Sequence, residues 1–410
     1  MSGTKRYDEI DTRYTPAVPM HTEFDAPERA SASETGAPQV DLDSGKYLKI
    51  WQGPNHPGIT GNMSVELTIS GDTVWQLKTH VGYLHRGFEK LMERRLWIQN
   101  FPLVCRICVP EPDFNEYLYA AAVEDLAGIE IPEKARWLRL LTLEMARLTS
   151  FLLWIGGQAG AFGMGIIGQW SVTHRDYILD LFEELTGGRI YHMYIIPGGV
   201  RHDLTDGFAD RLEAVLERVE KLLADIKLAM FDNAVFKKRS TGIGIITPDM
   251  VDRYGITGPN ARAAGFARDI RKDQPYLGYD ELDFDVVTAE SSDAYNRSWV
   301  RFREMYQSVA LIRQIIRRIP DEGELSAKLP NMLRWEIEPG QTYRRAECTR
   351  GEYGYYVVSD GGRYPRRVYV RGPSYTHAFP VLERIAVGAN LADIAGIMAS
   401  LHIYPPEIER

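Results

Sequence analysis

Cys105-Arg106-Ile107-Cys108 is the one stretch that joins two thiols to a fixed cation. A Cys-x-x-Cys pair suits dithiol redox chemistry or half of a metal site. Only Cys348 lies outside the pair, so four thiolate ligands cannot come from this chain. A zinc set of three cysteines and one histidine remains open, without spacing to support it. The plain alternative is free, partly buried thiols. Arg106 is placed to depress a thiol pKa if the thiol is exposed. The nine histidines are scattered: His80 and His85 sit near a strand end and a turn, and His192 lies within Tyr191-His192-Met193-Tyr194. No His-Glu-x-x-His helix occurs, and no carboxylate pair has a spacing that marks acid–base catalysis.

Gly163-Met164-Gly165-Ile166-Ile167-Gly168 has the Gly-x-Gly-x-x-Gly spacing. A dinucleotide site needs a strand before that loop. Here the preceding residues read as a helix, which favours close backbone packing over nucleotide binding. There is no Walker A sequence and no Gly-x-Ser-x-Gly elbow. The residues alone therefore show no self-contained catalytic set.

The elements that must position these groups come in a β, α, β order. Val65, Leu67 and Ile69 alternate, Ser70-Gly71-Asp72-Thr73 turns, and Val74 to Leu77 returns. Pro132-Glu133 opens a helix with the apolar run Trp137, Leu138, Leu141, Met145, Leu148 and Leu152. From Leu148 to Thr173 there is no charge, longer than the ~20 residues of a membrane span. Six glycines within 156–168 speak against one continuous helix, because each costs a helix interior roughly 1 kcal/mol. The expectation is a buried helix ending near Gly156, then a buried glycine-rich loop. Asp206 is placed to cap a second helix, with Leu212 to Ile226 on one stripe. Phe302 to Ile316 marks a third. Strands return at Tyr355 to Val358 and Val368 to Val370 around Asp360-Gly361-Gly362. Lone hairpins are marginal in water, so the two flanking regions are candidates to pair with each other.

The fold class is α+β, a central long-helix bundle flanked by small antiparallel β-sheet regions. The boundaries are a disordered or partner-binding extension at 1–46, a β region at 47–80, a helical core at 81–330, a β region at 331–375 and a C-terminal segment at 376–410. The chain has 410 residues, 44% hydrophobic and 25% charged, with net charge −8. The mild negative charge disfavours nucleic-acid binding, which needs a positive field. Three cysteines cannot form a disulfide framework, which points to a reducing, cytoplasmic compartment. Residues 1–46 are rich in Thr, Ser, Ala, Pro, Asp and Glu and carry no signal-peptide core.

Several blocks together resemble the 49 kDa (D-type) subunit family of complex I. They are GPNHPGITGN at 53–62, HVGYLHRGFEK at 80–90, YILDLFEELTGGRIYHMYIIPGGV at 177–200, GITGPNARAAG at 255–265, DIRK at 269–272, RFREMYQSVALI at 301–312 and GEYGYYVVSDGGRYPRRVYVRGPSY at 351–375. The resemblance runs in register from about 47 to 400. It implies a fold similar to the nickel–iron hydrogenase large subunit, with the old metal cavity serving as a quinone chamber. It also implies a B-type partner that carries a [4Fe-4S] cluster, further neighbours of the C type and of the membrane-embedded H type, and a peripheral place on the cytoplasmic side of the cell membrane. NAD(H) enters at the level of the complex; this chain binds no cofactor of its own. The 376–410 segment is expected to return to the chamber.

The resemblance names site residues. Arg106, Tyr191 and His192 fall beside the partner's cluster; His56, Thr60, Cys108, Val109, Glu111 and Ala161 fall in the chamber. Hydrogenases need Arg-x-Cys-x-x-Cys and a second, C-terminal pair. Arg106 and Cys108 match the first part, Glu111 stands where the next cysteine would be, and SLHIYPPEIER has none. Departures from the pattern of the 49 kDa family are pointed. Thr60 replaces a histidine, Val109 the quinone-binding tyrosine, Ala161 an aspartate that pairs with that histidine, Tyr191 the first of two histidines, and His402 the aspartate of a Ser-x-Asp. Histidine and tyrosine can donate hydrogen bonds to quinone carbonyls; valine and alanine cannot.

Two readings are open. One is an enzyme subunit whose rebuilt chamber reduces a quinone or another membrane carrier, such as a phenazine, coupled to proton translocation. The other is a scaffold or coupling subunit of a ferredoxin- or deazaflavin-linked complex. Residual hydrogen chemistry is disfavoured by the cysteine arithmetic.

Overall fold

The computed structural model describes residues 45–56, 59 and 61–410. Thr60 lies outside them, as does the extension expected at 1–46 except for its last two residues. The chain divides into two units, Met1–Tyr47 and Leu48–Arg410. Every strand and helix among the described residues belongs to the second unit.

Three antiparallel strands, Leu48–Gln52, Ser64–Ser70 and Thr73–His80, form the first sheet, with Leu48 opposite Ile69 and Leu67 opposite Leu77. Period-two alternation buries Val65, Leu67 and Ile69, and across a register irregularity Val74 and Leu77 face the same core. Gly340–Cys348, Gly351–Ser359 and Arg367–Arg371 form a separate antiparallel sheet. The two flanking regions do not pair with each other, contrary to expectation. Each hairpin instead gains a third strand from its own neighbourhood, which relieves the weakness of a two-stranded ribbon.

Between them lie the helices Pro112–Ala127, Glu133–Ala161, Gly165–Thr186, Phe208–Ile226 and Ala294–Ile316. The long helix starts after Pro132, as its sequence indicates. It does not stop near Gly156 but runs to Ala161, and the glycine-rich loop shrinks to Phe162–Met164. Packing overrides propensity here. A Cβ on Gly156 would sit 2.9 Å from Ser171 Oγ and 3.0 Å from Gly168 Cα. The glycines let the next helix, joined by a turn at Gly163 (φ +83°), approach backbone to backbone. The expected cap of Phe208–Ile226 also differs. Gly207, at φ +71°, occupies the cap position, and the Asp206 carbonyl accepts from Arg211.

Among the described residues, no helix is long and apolar enough to cross a membrane. One apolar core joins the helices to the second sheet; another joins the first sheet to residues 246–261 and 378–408. Three of the recognised blocks meet in a buried ionic cluster. Arg262 lies 2.8 Å from Glu304, 2.7 Å from Glu347 and 3.5 Å from Asp269, and Arg147 lies 3.0 Å from Glu304. Arg271 lies 2.8 Å from Asp269. Buried charges at this density must be mutually paired to be tolerated. These motifs therefore lock the helical core to the second sheet.

Candidate functional site

The segment from Cys105 to Glu111 connects a short helix, Phe101–Val104, to Pro112–Ala127. Pro112 at the first helical position fixes the exit of this segment. Glu111 occupies the N-cap position without capping its own helix. Its carboxylate accepts the Thr349 N–H at 2.9 Å and lies 2.6 Å from Arg350 Nη2. The same nitrogen donates to Cys108 Sγ at 2.9 Å, and Arg350 Nε donates to Glu407 at 3.0 Å. A fully buried guanidinium is thus clamped by Cys108 and Glu111 and by the C-terminal helix Pro405–Glu409.

Arg350 owes its place to a close backbone approach. Gly351 (φ +132°) and Gly258 (φ +70°) touch so tightly that a Cβ on Gly258 would fall 2.4 Å from Gly351 Cα. The Glu352 N–H donates to Thr257 Oγ1 at 3.0 Å, pinning the turn.

On the other side of the segment, Arg106 is half-buried. It donates to the Pro102 carbonyl at 2.7 Å and to Cys105 Sγ at 3.2 Å, and its guanidinium lies 4.8 Å over the Tyr191 ring. His192 is buried, stacks on Phe182 with centroids 3.9 Å apart, and contacts Asp113 at 2.9 Å through Nδ1. One helical turn on, Glu116 accepts the N–H groups of Met193, Tyr194 and Ile195 at 2.7, 2.9 and 3.1 Å. Two carboxylates three residues apart share one helix face and clamp residues 192–195. Burial and neighbouring Asp113 push Glu116 up to about 8, against the pull of His192 and the backbone donors. Burial opposes the imidazolium of His192, yet Asp113 and Glu116 raise its pKa above the ordinary value.

All three cysteines are free and buried, more deeply than expected. Burial pushes Cys105 up to about 12 despite Arg106, and Cys108 and Cys348 rise as well. Protonated, water-excluded thiols are poor nucleophiles and poor ligands, so dithiol chemistry at 105–108 is disfavoured. Among the described residues no group of three or more His, Cys, Asp or Glu is arranged to hold a metal.

Val109 is half-buried, and its N–H donates to Tyr404 Oη at 3.3 Å. His56 lies on an exposed loop after the first strand, its carbonyl bonded to the Ile59 N–H. Ala161 ends the long helix beside Phe162, whose ring packs against Gly396. Arg106, Cys108, Val109 and Glu111 therefore share one short segment, with Tyr191 against Arg106 and His192 against Asp113 just beyond the segment.

Comparison with known proteins decides the family. Residues 161–335 and 331–410 match the respiratory-chain NADH dehydrogenase 49 kDa subunit family. This chain belongs to that family. A 49 kDa-family relative, the D-type subunit of the NADH-quinone oxidoreductase of Thermosipho melanesiensis, is 44% identical over 88% of this chain and 99% of its own. The D-type subunit of the F(420)H(2) dehydrogenase of Methanosarcina mazei is 36% identical over 90% and 99%. A chain in the structure of the membrane-bound sulfane sulfur reductase, an archaeal respiratory membrane complex, superposes with TM-score 0.87 at 42% identity, covering 90% of this chain and 100% of that one. The chain is thus an α+β subunit of the NADH-quinone oxidoreductase type, within a complex I-like membrane assembly.

Asp113, Glu116, Arg350, Tyr404 and Glu407 also belong to this site, and no motif in the sequence marks them. The acidic pair three apart just after the helix-opening Pro112 was the available signal for the first two. Arg350 stands directly before a glycine at the turn between two strands, among the charges Arg344, Arg345, Glu347 and Glu352, so nothing local singles it out.

Proposed function

We propose that this chain and a B-type partner, which carries the terminal [4Fe-4S] cluster, form the chamber in which electrons pass to a quinone or similar membrane carrier. Ion translocation takes place elsewhere in the complex. The C-type and the membrane-embedded H-type subunits are the other proposed neighbours, and attachment at the cytoplasmic face runs through them. NAD(H) or another donor enters through further subunits.

The observation that carries this reading is the two-sided segment 105–111. Its outer side offers Arg106 over Tyr191, a half-exposed cation suited to a neighbouring anionic cluster. Three residues on, Val109 is tied to Tyr404 of the C-terminal segment. The proposed acceptor would lie against that wall. Arg106 sets the local field, Tyr191 and His192 hold the outer face, and Arg350 fixes Cys108 and Glu111 behind the wall. The test is reduction of lipid-soluble quinone analogues by the purified complex supplied with its donor. An inhibitor-sensitive rate supports the reading; a complex active with its donor yet inert towards every lipid-soluble acceptor overturns it.

A second reading rests on Val109 and Ala161. Val109 is apolar where the family pattern has a tyrosine donor, and Ala161 where it has an aspartate, so neither side chain can donate to a quinone carbonyl. The 42% identical chain works in a sulfane sulfur reductase. A sulfur-chain acceptor suits such a wall, and sulfide release by the same complex distinguishes it from quinone reduction.

A further inference from the structure

Val109 stands where the family pattern has a tyrosine, yet a phenol still reaches this place in the fold. Tyr404, 295 residues further along the chain, brings its hydroxyl to the same backbone: the Val109 N–H donates to Tyr404 Oη at 3.3 Å. That bond uses the hydroxyl as an acceptor only. A phenol can also donate, and among the described residues no acceptor takes the Tyr404 O–H proton. Exposure separates the two sides of the segment. Arg106, Val109, Tyr191 and Tyr404 are half-buried, whereas Cys108, Glu111, Arg350 and Glu407 are enclosed. The uncommitted donor therefore belongs to a residue on the side that a ligand can approach.

The fold holds this phenol still. Tyr404 precedes Pro405, and a residue before proline is kept extended, here at φ −127° and ψ 99°. Its N–H donates to Ser374 Oγ at 2.9 Å, and its carbonyl accepts the Glu407 N–H at 3.3 Å. Its ring lies 5.5 Å from the Arg350 guanidinium, which Glu111 and Glu407 fix at 2.6 and 3.0 Å. A donor held in place before its acceptor arrives loses little freedom on binding. Burial raises the pKa of the hydroxyl above its ordinary value, against the pull of the Val109 N–H and Arg350. The phenol thus stays neutral and keeps its proton to donate.

We propose that Tyr404 Oη donates the hydrogen bond that holds the polar end of the electron acceptor, a carbonyl oxygen in a quinone or the terminal sulfur in a sulfur chain. The assignment rests on the proposed function and deepens it. The donor that position 109 lacks stands at 404, across the Val109 N–H. Tyr404 positions the acceptor and keeps its proton throughout.

The test compares the intact purified complex, supplied with its donor, with Tyr404→Phe, which keeps the ring beside Arg350 and removes the hydroxyl. KM for whichever acceptor the wild type reduces, a short-chain quinone or a polysulfide, should rise roughly fivefold, the worth of one hydrogen bond, with kcat little changed. A hydroxyl that merely capped the Val109 N–H would leave KM unmoved. For a carbonyl-labelled quinone, the bound C=O band in infrared difference spectra should lie at lower frequency in the wild type than in Tyr404→Phe, because an accepted hydrogen bond weakens that stretch. Unchanged KM, or an unshifted band with a quinone, overturns the assignment alone. A wild-type complex that reduces neither acceptor overturns the proposed function with it, so the two failures are distinct. If Tyr404→Phe does not assemble, a structure of the wild-type complex with bound acceptor decides. The acceptor's polar end within hydrogen-bond reach of Tyr404 Oη supports the assignment, and a polar end bonded elsewhere overturns it.

Discussion

The guanidinium of Arg350 lies 2.6 Å from the carboxylate of Glu111, with both side chains excluded from solvent. Because Glu407 shares the same guanidinium, one cation holds the Cys105–Glu111 segment, the second sheet and the C-terminal helix together. Removing it strands two buried carboxylates. Breaking a buried pair from one side costs about 3–5 kcal/mol. Arg350→Ala should therefore lower the thermal midpoint of the complex sharply or prevent its assembly. Glu111→Gln, which leaves Glu407 as partner, should cost clearly less. Calorimetry of the two variants checks the order, and equal losses would contradict the shared-cation account.

His192 and Glu116 give stability a pH dependence with a definite sign. A carboxyl whose folded pKa is raised binds its proton more tightly folded than unfolded. Its contribution thus falls as pH rises from 4.5 through about 8. The His192 imidazolium, also raised, contributes fully below its unfolded pKa and is lost as pH climbs through the folded one. Both act in the same direction. The thermal midpoint should decline from mildly acidic to mildly alkaline pH, by the equivalent of a few kcal/mol at most. Glu116→Gln should flatten the profile, and an unchanged slope in that variant would show that the charge there is not titrating.

Gly156 and Gly157 are adjacent in the long helix yet should respond oppositely to alanine. A Cβ at Gly156 meets Ser171 and Gly168, whereas at Gly157 nothing lies within 4 Å. Gly156→Ala should force the two helices apart at a cost of about 1–3 kcal/mol. Gly157→Ala should stabilise by roughly 0.5–1 kcal/mol through helix propensity. Unfolding midpoints of the two variants give the comparison directly.

These glycines also explain what reading the sequence could and could not reach. Periodicity placed the strands at 65–77 and the helix start at Pro132, because those depend on local alternation and capping. It ended the helix too early because propensity counts glycine as a breaker, while here Gly168 and Ser171 reward its missing side chain. Cys105 and Cys108 were visible through their short spacing, and Glu111 through the resemblance to the hydrogenase motif. Arg350 was not, being 239 residues beyond Glu111 (350 − 111) and joined to it only by the fold. Buried charge networks are assembled from distant segments, and no local pattern announces which cation meets which anion.

Val109 offers the most direct functional test. Its side chain is half-buried at the proposed acceptor wall, and only its backbone N–H is engaged, so the side chain is free to change. Val109→Tyr restores a phenolic donor. If the acceptor is a quinone, one added hydrogen bond is worth about 1 kcal/mol, and KM for a short-chain quinone should fall roughly fivefold with little change in kcat. If the acceptor is a sulfur chain suited to an apolar wall, the bulky ring should instead raise KM for that substrate and slow sulfide release. Steady-state kinetics of the assembled complex with each acceptor separates the two. A substitution without effect on either would place electron transfer away from this wall, because an aromatic ring cannot enter a working chamber unnoticed.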